Sequence, residues 1–260
     1  MRWGAGALAS GCALAVAAVL AGTAGAGPAA PGPGPGTAEA TARTAANPPV
    51  ASRPTTREAW TARIVIPVHA RSAPKASARK VAKVDAIAPY NKGPHVLLVL
   101  AARSTKRGVW YRVLLNNRPN DAAGWIPAEA VRVEKTPYRI VVRIGARSIE
   151  LLKGGKRLGK WTVAVGTSAN PTPTGRFAMS EIVKQPNPAG FFGTYILTLT
   201  AHSEHLSDFD GGDGRVALHG TNRASLLGQA VSHGCVRLAN AVATRIGRTV
   251  PAGAPVDILP

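Results

Sequence analysis

From about residue 61 the chain is written in short runs of β-branched and aromatic residues broken by turn residues. The runs are RIVIPVHA (63–70), HVLLVLAA (95–102), GVWYRVLL (108–115), GWIP (124–127) and AVRV (130–133). Between two of them NNRPNDAAG (116–124) is a dense turn signal. None has a helical period, so residues 60–135 predict a small all-β barrel, with Trp110 and Trp125 in its core. His69 and His95 carry no signal of function. A second β-rich unit, 136–260, follows Thr136-Pro137. Its runs are YRIVVRI (138–144), SIELLKGGKRLGKWTVAVG (148–166), RFAMSEI (176–182), TYILTLT (194–200), RVALHG (215–220) and VDIL (256–259). The second of these reads as a hairpin turning at Gly154-Gly155. Only LANAVATRIGRTV (238–250) has helical spacing, with Leu238, Val242 and Ile246 on one face and Asn240 placed to cap its start. The pattern is that of a mostly β protein with one short C-terminal helix.

The N-terminal quarter has a different texture. Residues 3–26 carry no charge, follow a single Arg2, and end in Ala24-Gly25-Ala26, the small-residue pattern of a signal-peptidase site. Residues 1–26 therefore read as a secretory leader. A retained anchor is the rival, since the run is long enough to span a bilayer, but it is mostly Ala and Gly and inserts weakly. Residues 27–59, rich in Pro, Ala, Gly and Thr, have no apolar periodicity and read as a disordered linker. Extended at ~3.1 Å per residue it reaches on the order of 100 Å.

Export changes how the charge is read. The net charge of +19 places seventeen basic against six acidic residues over 27–135, and fourteen against seven over 136–260. Such a field attracts polyanions. Nucleic acid fits poorly, because four Tyr and four Phe offer few stacking platforms and the leader points outside the cell. Anionic wall polymers, peptide carboxylates and, if the leader stays, membrane lipids fit better. Of the two cysteines, Cys12 lies in the leader, so export leaves Cys235 as a single thiol with no partner within the chain.

Cys235 stands in VSHGCVRLAN (231–240), sixteen residues after His219. A free thiol with a pKa of about 8.5 is mostly protonated at neutral pH, and an imidazole beside it can take the proton and later return it. Gly234 allows a tight turn that presents backbone N–H groups to a developing oxyanion. A zinc site competes, because His202, His205, His219, His233 and Cys235 are all ligand types. An inert buried cysteine is the third reading.

The segment HGTNRASLLGQAVSHGCVRL (219–238) resembles the signature of the YkuD-like L,D-transpeptidases, a His followed by Ser/Thr-His-Gly-Cys. VVRIGARSIELLKGGK (141–156) resembles that family's opening hairpin, and VGTSANPTPTGRF (165–177) one of its loops. The resemblance covers about residues 137–260. It implies an L,D-transpeptidase-type β-sandwich with Cys235 as nucleophile, His219 as proton donor and acceptor, and His233 in support. Ser232 would shape the site, Gly234 would serve the oxyanion through its backbone, and Arg237 would hold a substrate carboxylate or form a structural ion pair. Peptidoglycan stem peptides are the implied partners, and no metal or organic cofactor is implied. A zinc-dependent wall peptidase and a non-catalytic wall-binding protein remain as alternatives. WYRV…GWIP, more loosely, resembles bacterial SH3-like domains.

Overall fold

The computed structural model describes residues 53–208 and 212–260. The expected leader, Cys12 and most of the expected linker fall on residues 1–52, outside the described residues. Among the described residues no helix is long and apolar enough to cross a membrane.

The first sheet is built from seven strands: β1 (Ala59–Ile64), β2 (Val68–Arg71), β3 (Lys80–Val84), β4 (Val96–Thr105), β5 (Gly108–Leu114), β6 (Ala123–Pro127) and β7 (Val131–Thr136). They pair antiparallel in the order β3-β2-β6-β5-β4-β1-β7. The expected run 63–70 is two strands, because Val65-Ile66-Pro67 is an exposed corner between β1 and β2. Ala62, Leu97, Val99, Tyr111, Val113, Ile126 and Val133 form the core. Trp110 is buried, but Trp125 is only half-buried because it alternates with Ile126 and points away from that core.

The second sheet takes β8 (Tyr138–Arg143), β9 (Ser148–Lys153), β10 (Lys156–Thr162), β12 (Gly175–Lys184), β13 (Tyr195–His202), β14 (Arg215–His219), β16 (Val236–Arg237) and β17 (Pro255–Leu259). Their order is β10-β9-β8-β17-β12-β13-β14-β16. Two short strands, β11 (Val165–Gly166) and β15 (Ala230–Ser232), pair in parallel beside it. The β9–β10 turn sits at Gly154-Gly155, both at positive φ (60° and 81°), as a tight hairpin turn requires. Strand β12 pairs with β17 through its first half and with β13 through its second, with a register shift between Met179 and Glu181. The sheet folds there into a β-sandwich: Ile140, Ile149 and Ile258 from one half share a core with Leu197, Leu199 and Leu218 from the other.

The helix α1 (Asn240–Thr249) closes that core with Val242, Ala243 and Ile246. Leu238 is buried too, but lies ahead of the helix. The expected cap is corrected. Asn240 is the first helical residue, Ala239 is the cap, and no side chain caps the start. The Asn240 amide is turned instead toward the loops around His219.

Candidate active site

Strand pairing explains how residues sixteen apart in sequence come together. His219 ends β14, and β16 runs parallel to it with Leu218 opposite Val236 and His219 opposite Arg237. The intervening chain is taken up by a 3-10 turn (Ala224–Leu226) and by β15, which is held by β11. Cys235 immediately precedes β16 and so reaches the end of β14, where the Ala217 backbone N–H acts on its sulfur.

The Ser-His-Gly-Cys turn is fixed by one hydroxyl. Buried Ser232 Oγ donates to the Cys235 carbonyl at 2.5 Å and accepts the Gly234 N–H at 3.1 Å. Gly234 has φ +117°, a conformation side chains with a Cβ rarely adopt. The Gly234 N–H is therefore already engaged, which departs from the expectation that it serves an oxyanion. What Gly234 supplies here is the turn. His233 is exposed at the pocket rim.

The electrostatics favour a neutral pair. His219 is 2% exposed. Its Nδ1 lies 2.6 Å from the Gly220 carbonyl, which can only accept, so Nδ1 carries the proton and Nε2 keeps its lone pair. Burial lowers its pKa to about 4, against the Gly220 hydrogen bond and with a further push from the Arg237 charge. Burial also raises the Cys235 thiol, outweighing the Ala217 N–H and Arg237, which both favour thiolate. At rest a neutral thiol shares the site with a neutral imidazole.

Arg237 is buried, with its guanidinium 5.1 Å from the Phe191 ring centroid. Its Nε is buried without a hydrogen-bond partner, and no carboxylate pairs with it among the described residues. Burial depresses its pKa, with Arg223 adding to the effect. A half-desolvated cation of this kind suits an incoming carboxylate.

Together these groups line a pocket, open to solvent, that contains His219, Ser232, His233, Cys235 and Arg237. Phe191 and Phe192 form one side, with ring centroids 5.8 and 5.1 Å from the His219 ring. Sequence reasoning missed these two, and it missed Asn240. Asn240 Oδ1 accepts from Thr194 N at 3.3 Å and Thr221 N at 3.1 Å, and Nδ2 donates to Pro188 O at 3.3 Å. It fits between Gly193 and Gly220, where any Cβ would collide with it. One amide thus ties the phenylalanine loop to the strand end that carries His219. Its place just after SHGCVRLA was the available signal, masked by its resemblance to a cap. His202, a ligand type in the zinc reading, is buried at the end of β13 and bonded to Asp213 at 3.2 Å, whereas His205 is exposed. Among the described residues no three His, Cys, Asp or Glu side chains gather as a metal-holding set.

A thiol and a buried imidazole of fixed tautomer, in a pocket with a bare guanidinium, define a site suited to acyl transfer. The sequence model of the L,D-transpeptidase catalytic domain, YkuD, matches residues 137–258. A Bacillus licheniformis protein that bears the name L,D-transpeptidase YkuD is 36% identical over 124 residues, covering 48% of this chain and 67% of the relative. Its namesake in Bacillus subtilis strain 168 is 32% identical over 151 residues, 56% of this chain and 84% of the relative. A solved L,D-transpeptidase from Mycobacterium tuberculosis H37Rv is 17% identical at a TM-score of 0.42, covering 64% of this chain and 90% of that one. The chain belongs to the L,D-transpeptidase family. It is an acyltransferase with a cysteine nucleophile, and this reading displaces the zinc peptidase and the inert wall-binding module.

Proposed function

We propose that Cys235 and His219 perform the acyl transfer, on peptidoglycan stems whose L-centred third residue is joined to a D-alanine. The observation that carries this is the pinned tautomer: Gly220 holds the Nδ1 proton, leaving Nε2 as the basic nitrogen in the Cys235 pocket. As Sγ bonds to the carbonyl carbon, its proton passes to Nε2. The Cys235 N–H is the oxyanion donor, since Gly234 N–H is occupied by Ser232. The intermediate collapses by breaking the C–N bond, the imidazolium protonates the departing amine, and D-alanine leaves a thioester. A side-chain amine of a neighbouring stem then attacks and loses a proton to His219. The thiolate leaves and takes that proton back.

Ser232 and Gly234 hold the turn, His233 supports the site from its rim, and Arg237 receives a carboxylate of the stem. Residues 60–135 serve as an SH3-like unit and 136–260 as the catalytic domain. The protein is exported to the bacterial wall by the leader, and its basic surface adds attraction to anionic polymers. Incubation with stem tetrapeptides tests the chemistry. D-alanine release should match cross-linked product mole for mole, and both should vanish in Cys235→Ala. Turnover that persists in this variant would overturn the assignment.

A further inference from the structure

The first β unit does more than sit beside the catalytic domain. Its turn between β5 and β6 reaches the segment that forms one wall of the Cys235 pocket. Arg118 donates from one guanidinium nitrogen to the Ser203 carbonyl at 2.6 Å, and from the other to Leu206 O at 2.9 Å and Asp213 O at 3.0 Å. Asn120 donates to His202 O at 2.9 Å and accepts from His202 N at 2.9 Å, closing a two-way backbone clamp. Ser203, Leu206 and Gly214 line the same pocket as Cys235. Gly214 has φ +72°, and a Cβ there would lie 2.7 Å from an Arg118 nitrogen. The wall's own ionic knot is also tied to this turn. Asp213 bonds to both His202 and Arg215, and Arg215 donates to the Asn116 carbonyl at 3.3 Å.

An arginine facing three main-chain carbonyls gains no ion pair from them. Its charge-assisted bonds hold a particular backbone path. Without the turn, the Ser203, Leu206 and Asp213 carbonyls and the His202 main chain would lose these partners. We propose that Arg118 and Asn120 are positioning residues for transpeptidation, so that the first β unit supplies a structural part of the substrate cleft. This rests on the reading of Cys235 as nucleophile. The wall they fix stands apart from the Ser-His-Gly-Cys turn, whose geometry is set by Ser232. Loosening the wall should therefore spoil the placement of a peptide and spare the thiol's intrinsic reactivity.

The test uses the full chain with Arg118→Ala, Arg118→Lys and Asn120→Ala. Two readouts are compared: donor-peptide turnover, and alkylation of Cys235 by iodoacetamide, which is too small to need the wall. A misplacement of about 1 Å can cost on the order of 100-fold. Arg118→Ala should thus lower peptide kcat/KM by roughly 10- to 100-fold, mainly through KM. Alkylation should stay within about 2-fold, since no group of the thiol turn is touched. Arg118→Lys, one compact donor in place of a fork, should recover part of the loss. Unchanged peptide kinetics in folded Arg118→Ala and Asn120→Ala would overturn the proposal. So would a parallel fall in peptide turnover and alkylation, the mark of general disruption. If Arg118→Ala does not fold, the milder Arg118→Lys and Asn120→Ala decide by the same two readouts. Failure of the nucleophile assignment is seen separately, as turnover surviving in Cys235→Ala.

Discussion

His219 is buried neutral, and acid should therefore unfold this protein through a group that belongs to its pocket. An unfolded histidine titrates near 6.5, and His219 in the fold near 4. Between these values the unfolded chain binds a proton that the native site refuses. The contribution is fully present above pH 6.5 and is lost as pH falls toward 4. Integrated from pH 7 to pH 4.5, that single group removes about 2 kcal/mol of stability. Burial of the ring means solvent screening does little to reduce this. His219→Asn is the matching perturbation, because its amide can still donate to the Gly220 carbonyl but does not titrate. Urea unfolding of both proteins at pH 7 and pH 4.5 isolates this contribution, since the buried His202 and the half-buried His95 are common to both. The wild type should lose about 2 kcal/mol more than the variant. Equal losses in the two proteins would refute the assignment of a buried, neutral His219.

Ser232→Ala removes both bonds of the nucleophile turn and should cost about 1–3 kcal/mol by urea unfolding while slowing peptide acylation. Alkylation of Cys235 should be slow at pH 7 and rise up to and beyond pH 9, following a thiol raised by burial; a plateau reached by pH 5 would indicate a resting thiolate–imidazolium pair. His219→Ala should slow acylation by roughly 10²–10⁴, measured by quenched-flow mass spectrometry. A chelator should leave peptide turnover unchanged, and loss of turnover with recovery on added zinc would contradict thiol chemistry.

Local pattern made much of the fold legible. The hairpin at Gly154-Gly155 declares itself through two glycines between apolar runs, and the helix through Val242 and Ile246. Strand β3 does not, because KVAKV is mostly exposed or half-buried and alternates weakly. The β1–β2 corner is hidden because Val65 and Ile66 read as strand residues although they face solvent. In the site, SHGC and an upstream histidine are legible as chemistry, and the pocket gathers them. Asn240 and the Arg118 contacts are not legible. Asn240 bonds across 46 residues to Thr194, and Arg118 across 85 residues to Ser203. No local periodicity records contacts of that span. The Gly234 amide shows the same limit at short range. A glycine before the nucleophile suggests an oxyanion donor until the Ser232 hydroxyl is seen to take it.

The central claim is that one sulfur forms the acyl-enzyme, and intact-mass spectrometry after mixing with a carbapenem tests it most directly. Opening of the β-lactam ring bonds its carbonyl to Sγ and moves the thiol proton to the released nitrogen, so the adduct keeps the drug's whole mass. The full chain should gain one such increment, located to Cys235 by peptide mapping, and Cys235→Ala should gain none. An adduct on Cys235→Ala, or wild-type protein that turns over stem peptides yet maps its acyl group to another residue, would contradict the account.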